Sequence, residues 1–278
     1  MSKETTSEPV RVCLLVDGNS IVEWQHAALQ HMIDETSAEI TVVVSNQQTQ
    51  TRTKLDLLKR AIELREWTLV WALRSLFAKP VPLSEDVSLN DCEYVSDAKR
   101  IKCVPETVDG WKNEIPSKIV DIVADDADIA VRFGFGFVVG DILTELEYGV
   151  LSYHHGDIRE YRGQPAGCWE FIHGEDEVGI TLQRINERLD AGEVAAMKTI
   201  SIQDSNTYSE IRGRLYENSE GMLTEALLKL ESGKMNFEVA DTLGRLYTIP
   251  KGFSALRFFC KELRGHCFNK SYNQPSII

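Results

Sequence analysis

The sequence predicts an α/β protein: a mostly parallel sheet flanked by helices, with a helical C-terminal extension. Three observations predict it. Residues 10–17 form an apolar, β-branched run closed by Asp17, Gly18 and Asn19. Residues 39–45 form a second such run. A helix-forming stretch lies between them, so the chain opens strand, helix, strand, the start of a parallel sheet.

The elements follow in order. Ser20 is placed to cap a helix over about 20–33, with Glu23 as its capping-box partner. Leu55, Leu58, Ile62, Leu69 and Leu73 mark one face of a long helix over 51–77. Residues 79–110 hold Pro80, Pro82 and Pro105 among many acids, and read as an irregular excursion with a short strand near 100–104. Helix is expected over 111–124 and near 140–147, with strands over 128–133 and 149–153. A polar loop over 154–164, a helix over 165–173, and strands over 178–185 and 193–202 come next. Ile211, Leu215, Leu223, Leu227 and Leu230 line one side of an amphipathic helix over 207–231. In the tail, Lys251, Arg257, Lys261, Arg264 and Lys270 interleave with Phe253, Leu256, Phe258, Phe259 and Leu263, a pattern that favours a docked helix over a membrane contact. The reading divides the chain into an α/β domain, 1–205, and a helical extension, 206–278.

Composition narrows the function classes. A net charge of -13 argues against nucleic acid as the main partner, because phosphate neutralisation needs a basic face. Only a basic patch gathered in three dimensions would reopen that class. The six cysteines include no CxxC pair, which fits a reduced, cytoplasmic compartment. The six histidines show neither HExxH nor zinc-type spacing, so no metal is expected. Residues 1–9 are polar, and no apolar run approaches the roughly 18 residues of a membrane span. The oligomeric state, including a homo-oligomer, stays open.

The chemistry concentrates in residues 149–192. Ser152, His154 and His155 sit at the end of an apolar strand. In open parallel sheets, ligands bind beyond such strand ends. A Ser, a His and the later Asp190 are therefore candidates to converge, against the alternative that they only satisfy loops and turns. No Gly-x-Ser-x-Gly elbow is present, so the order Ser, His, Asp is not a hydrolase triad by itself. Upstream, Phe133, Phe135 and Phe137 alternate with Gly134 and Gly136, and either pack in the core or meet a ligand.

This stretch resembles the signature of the formyltransferase family, which includes methionyl-tRNA, glycinamide ribonucleotide and sugar-amine formyltransferases. Gly149, His154, Tyr161, Arg162 and Gly163 match without a gap, and Gly174, Gly179, Ile180, Thr181, Leu189, Asp190 and Gly192 follow in order. Two departures stand out. The family's catalytic Asn falls on Ser152, and its Ser-Leu-Leu-Pro segment is replaced by Gly156, Asp157, Ile158 and Arg159. Loss of one oxyanion donor costs about 3–4 kcal/mol of transition-state stabilisation. A Ser hydroxyl is shorter than the Asn amide and has one donor, and His155 is a candidate to supply the other.

The resemblance implies a Rossmann-like fold and transfer of a formyl group from 10-formyltetrahydrofolate to an amine. It implies His154 as oxyanion stabiliser, Asp190 as its charge partner and proton carrier, and Ser152 as a hydrogen-bond donor. Phe135, Gly136, Phe137 and Val138, with Leu189, fall where the family holds folate. Asn19 and Ser20 fall where it meets the acceptor, against the alternative of a plain turn and cap. His155 and Arg162 are further candidates for substrate contact, and Arg162 more readily braces backbone. Arg132, at a strand end, either pairs with an acid or faces the site. The acidic charge and the helical, strand-poor last 75 residues favour a small-molecule amine acceptor, such as an amino sugar or a nucleotide-linked amine. The alternatives are initiator tRNA as acceptor, hydrolysis of formyltetrahydrofolate, and an inactive ligand-binding or scaffold protein of the same fold.

Overall fold

The computed structural model describes residues 9–48, 62–64 and 66–272, with side chains as far as 267. Leu55 and Leu58 of the expected 51–77 helix, and the polar residues 1–8, lie outside the described residues. The chain opens as β1 (Arg11–Asp17), β2 (Ser20–Val22), α1 (Glu23–Glu35) and β3 (Glu39–Asn46). It continues as α2 (Glu66–Arg74), β4 (Asp86–Ser88), β5 (Lys99–Cys103), β6 (Glu106–Val108) and β7 (Lys112–Glu114). Next come α3 (Ser117–Asp126), β8 (Ile129–Arg132), β9 (Phe137–Val139), β10 (Val150–His154) and β11 (Tyr161–Gly163). The last elements are α4 (Cys168–His173), β12 (Glu177–Arg184), β13 (Glu193–Ser201), α5 (Tyr208–Glu217), α6 (Glu220–Glu231), β14 (Arg245–Tyr247) and α7 (Phe253–Tyr272).

Seven strands form the main sheet in the order β13-β12-β10-β8-β1-β3-β5. The five from β10 to β5 are parallel, while β12 and β13 run antiparallel at the other edge. Apolar clusters cover both faces, as parallel strands require. On one face Leu14, Leu151 and Ile180 pack with Leu29 and Met32 of α1, Ile211 of α5, Leu227 of α6 and Phe258 of α7. On the other, Leu15, Ala130 and Val150 pack with Val120 and Val123 of α3, Phe135 and Ile142. The C-terminal helices thus complete the same core as the sheet. Arg74, Ser209 and buried Glu262 join α2, α5 and α7 through a charge-assisted network, in which Arg74 Nε lies 2.8 Å from Glu262 Oε1.

Several expected elements differ. Ser20 does not cap α1: it pairs with Ser88 in β2–β4, and the helix starts at Glu23, where Gln25 Oε1 accepts the Val22 N–H. The expected helix over 111–124 divides into β7 and α3 at Pro116, because a residue preceding proline is pushed out of the helical region. The helix expected near 140–147 is a single 3-10 turn over Asp141–Leu143. The strand expected near 100–104 is β5, the edge of the main sheet. The helix over 207–231 breaks at Asn218 and Ser219, and the tail contains β14, which pairs with β11. Among the described residues no helix is long and apolar enough to cross a membrane.

Candidate active site

The ends of β1, β8 and β10 lie side by side, and each delivers a polar side chain: Asp17, Arg132, and Ser152 with His154. Strand alternation sorts β10. Ser152 and His154 share the face of Val150, whereas Tyr153 turns to the opposite one, toward α1. Ser152 and His154 are both buried, at 1% and 7% exposure, so their polar atoms need partners inside the protein.

His154 has two. Its Nδ1 lies 3.5 Å from Asp190 Oδ1, which arrives on the loop between β12 and β13. Its Nε2 lies 2.8 Å from the carbonyl oxygen of Tyr161, which can only accept, so Nε2 carries a hydrogen. Both ring nitrogens therefore face acceptors. Gly156 makes the second contact possible, because a Cβ there would meet Nε2 at 2.6 Å. Asp190 is fixed in turn: its Oδ2 accepts the Gly163 N–H at 2.8 Å, and its backbone is left-handed at φ 44°. A non-glycine residue in that region costs about 1–3 kcal/mol, which the surrounding contacts must offset.

Ser152 is paired across the sheet with Arg132, and Arg132 Nη2 donates to its Oγ at 2.7 Å. The Arg132 Nη1 donates to the carbonyl of Gly136. The Nε is buried and has no hydrogen-bond partner among the described residues. Burial lowers the Arg132 pKa, while the carboxylates of Asp190 and then Asp17 work to keep the guanidinium charged. Asp17 Oδ1 accepts the Phe135 N–H at 2.9 Å and an Asn46 amide hydrogen at 2.9 Å. Phe135 is held left-handed at φ 65°, with its carbonyl accepting from Asn113 Nδ2 at 2.6 Å. Gly134 lets this loop close on β1, since a Cβ there would meet the Asp17 backbone nitrogen at 2.4 Å.

The other expected site residues divide. Of the proposed folate segment, Phe135 and Val138 are core residues at 0% and 2% exposure, and Phe137 packs on Trp111. Gly136 is exposed, and Leu189 is 37% exposed, so these two keep surface to offer. Asn19 is engaged by Arg100, whose Nη1 donates to its Oδ1 at 3.1 Å. Ser20 lies in β2. Arg162 braces backbone, donating to Gly244 O at 2.9 Å and Leu189 O at 3.3 Å. His155 leaves the Ser152 side altogether. Its Nε2 bonds Ser219 Oγ at 3.0 Å, and its ring packs against Trp24, Tyr216 and Tyr153, so it does not supply the second donor beside Ser152. Burial, His154 and Arg212 push its pKa down to about 3.

Two spaces adjoin these groups. The one between His154, Tyr161, Trp169 and Glu170 holds about 10 Å³, too little for a pterin. A cleft of about 540 Å³ opens beside Gly136, lined by Asp17, Gly18, Asn46, Gln47, Gln48 and Asn113. Asn46 and Asn113 carry no motif signal. Only the crossing of β3 and β7 beside β1 and Gly136 gathers them.

The chain is similar to several known proteins. Residues 100–227 match the family model described as formyl transferase. A methionyl-tRNA formyltransferase from Caldanaerobacter subterraneus subsp. tengcongensis is 28% identical over 151 residues, 54% of this chain and 48% of that protein. The chain thus spans about half the length of that relative. Among solved structures, glycinamide ribonucleotide transformylase 1 from Symbiobacterium toebii superposes with a TM-score of 0.54 at 15% identity, covering 89% of this chain and 99% of that one. An N-formyltransferase from Helicobacter canadensis, in complex with folinic acid and dTDP-3-aminofucose, superposes with a TM-score of 0.52 at 13% identity, covering 96% and 84%. These likenesses show the fold, and the signature on β10 and the β12–β13 loop lies inside the matched segment. Through residues 100–227 the chain is similar to the formyltransferase family.

Proposed function

We propose that this site transfers a formyl group from 10-formyltetrahydrofolate to the amine of a small molecule. The observation that carries the reading is the meeting of His154 and Asp190 at 3.5 Å beside Ser152. When bound, the folate would supply an activated formyl carbon on a nitrogen leaving group. The protein's surfaces fit such a donor at two points, the exposed main chain of Gly136 and the exposed side chain of Leu189. Arg132 bonds the first and feels the carboxylate beside the second, so they flank one charged centre.

Asp190 takes the proton that the amine loses as its nitrogen bonds the formyl carbon. His154 holds that carboxylate in place and shares its proton, and the pair returns a proton to the departing nitrogen. Ser152 keeps its own hydroxyl hydrogen free for the site, because Arg132 donates to its oxygen.

The cleft beside Gly136 is offered as the acceptor's place. Its lining is amide-rich with one carboxylate, Asp17, which suits a hydroxyl-bearing amine. The Helicobacter canadensis neighbour, crystallised with an amino-sugar nucleotide, supports that class by its fold alone. A second reading, initiator tRNA as acceptor, rests on the methionyl-tRNA formyltransferase relatives. Formylation assays with nucleotide-linked amino sugars, free amines and initiator tRNA, side by side, test the order. Faster formylation of tRNA would reverse it. Formate release without any amine would favour hydrolysis, and folinic acid binding without turnover would favour a ligand-binding protein.

A further inference from the structure

We infer that Arg132 takes over the oxyanion-stabilising role left open by Ser152, so that a guanidinium facing the formyl oxygen replaces an amide. The inference rests on the formyl-transfer reading above.

The two departures from the family signature, at Ser152 and at Gly156, are physically coupled. Ser152 is short, and the space it leaves is crossed by Arg132 from the neighbouring strand, at 2.7 Å from its Oγ. An Asn at 152 would extend into the same space. Gly156, where the family has a Ser, lets the His154 ring settle against the Tyr161 carbonyl at 2.8 Å. With Nδ1 toward Asp190 as well, neither ring nitrogen is left for a substrate oxygen. The cation next to this pair is Arg132, and its fork is only partly used. Nη2 holds Ser152, Nη1 holds the Gly136 carbonyl, and Nε is buried without a partner among the described residues. A buried guanidinium N–H with no acceptor is costly in the free protein. An anionic oxygen arriving beside it would remove that cost, which is how a preorganised donor favours the transition state over the ground state.

The step balances without another reagent. The amine nitrogen forms a bond to the formyl carbon, and the carbonyl π pair moves onto oxygen, where Arg132 and the Ser152 hydroxyl meet it. The pair then returns, the bond to the folate nitrogen breaks, and that nitrogen takes the proton that the amine gave to Asp190.

The test uses the full chain with 10-formyltetrahydrofolate and hydroxylamine as a surrogate amine, following formylated product, with folinic acid binding measured by calorimetry. Arg132→Gln should lower turnover about 10²–10³-fold, the effect of losing one oxyanion donor, by more than any loss of folinic acid affinity through the released Gly136 carbonyl. Arg132→Lys keeps the charge but not the fork, and should still run at least about tenfold slower. It also serves where the Gln variant fails to bind folinic acid. Added guanidinium ion should restore part of the turnover of Arg132→Ala, and ammonium should not. Ser152→Asn should slow turnover, because the amide displaces Arg132. Wild-type turnover in both the Gln and Lys variants overturns the role of Arg132 and leaves the formyl-transfer reading standing. A wild-type protein that neither binds folinic acid nor releases its formyl group overturns that reading, and this role with it.

Discussion

His154 and His155 are consecutive, yet they inhabit opposite sides of one sheet. His154 meets a carboxylate and a backbone carbonyl, and that carboxylate also acts on Arg132. His155 meets Trp24, Tyr216 and the hydroxyl of Ser219. The same side chain is held between two hydrogen-bond acceptors in the first setting and packed among aromatic rings in the second. Neighbours decide this, and strand alternation decides the neighbours. The break between α5 and α6 belongs to the second setting: it frees Ser219, whose carbonyl accepts from Tyr153 and whose hydroxyl bonds His155.

The largest expected effects break the first setting. His154→Ala and Asp190→Asn should each lower formyl transfer about 10²–10⁴-fold with the thermal midpoint little changed. Asn tolerates the left-handed backbone at 190 and keeps an acceptor for the Gly163 N–H, so the second variant isolates the charge. Undiminished rates in both would place the chemistry elsewhere. Gly156→Ala should push the His154 ring off the Tyr161 carbonyl and cost at least about tenfold in turnover, the scale of roughly 1 kcal/mol or more of misplacement. A crystal structure of that variant with the ring unmoved would contradict it.

Smaller effects sharpen the second setting. The His155 pKa of about 3 lies below its ordinary value of 6.5, so the folded state disfavours the charged ring. Its contribution to stability is present above about pH 6.5 and is lost as pH falls toward 3. His155→Phe should flatten the acid limb of stability measured by urea titration, with formyl transfer at neutral pH nearly unchanged. An acid limb as steep as in the wild type would assign the loss to other groups. Glu170 works in the opposite sense. Burial first, and then Glu175, Glu160 and Asp157, raise its carboxyl to about 7. That contribution is complete below about pH 4.5 and is lost as pH rises through 7. Glu170→Gln should therefore raise stability at pH 8 relative to pH 5. Equal gains at both values would show that Glu170 does not titrate in this range.

Much of this was legible in one dimension. Apolar runs at 10–17, 39–45 and 128–133 announce parallel strands because buried strands need apolar side chains on both faces. The ordered signature from Gly149 to Gly192 carries the resemblance to formyltransferases and singles out His154 and Asp190 as a pair, which the structure brings to 3.5 Å. Local signals failed where a distant partner won. Ser20 reads as a cap, but β4 recruits it into a strand. Phe135 reads equally as core or ligand contact, and α3 and the sheet enclose it.

What the sequence determined by itself was the set of chemical groups and the periodicity that sends Ser152 and His154 to one face of a strand. Only the tertiary structure decided what those groups became. The pairing of β8 with β10 set Arg132 against Ser152, and the loop from β12 carried Asp190 to His154 across 36 residues of chain. Hydrogen bonds and ion pairs act over a few ångströms, and no local pattern states which remote residues will arrive within that range.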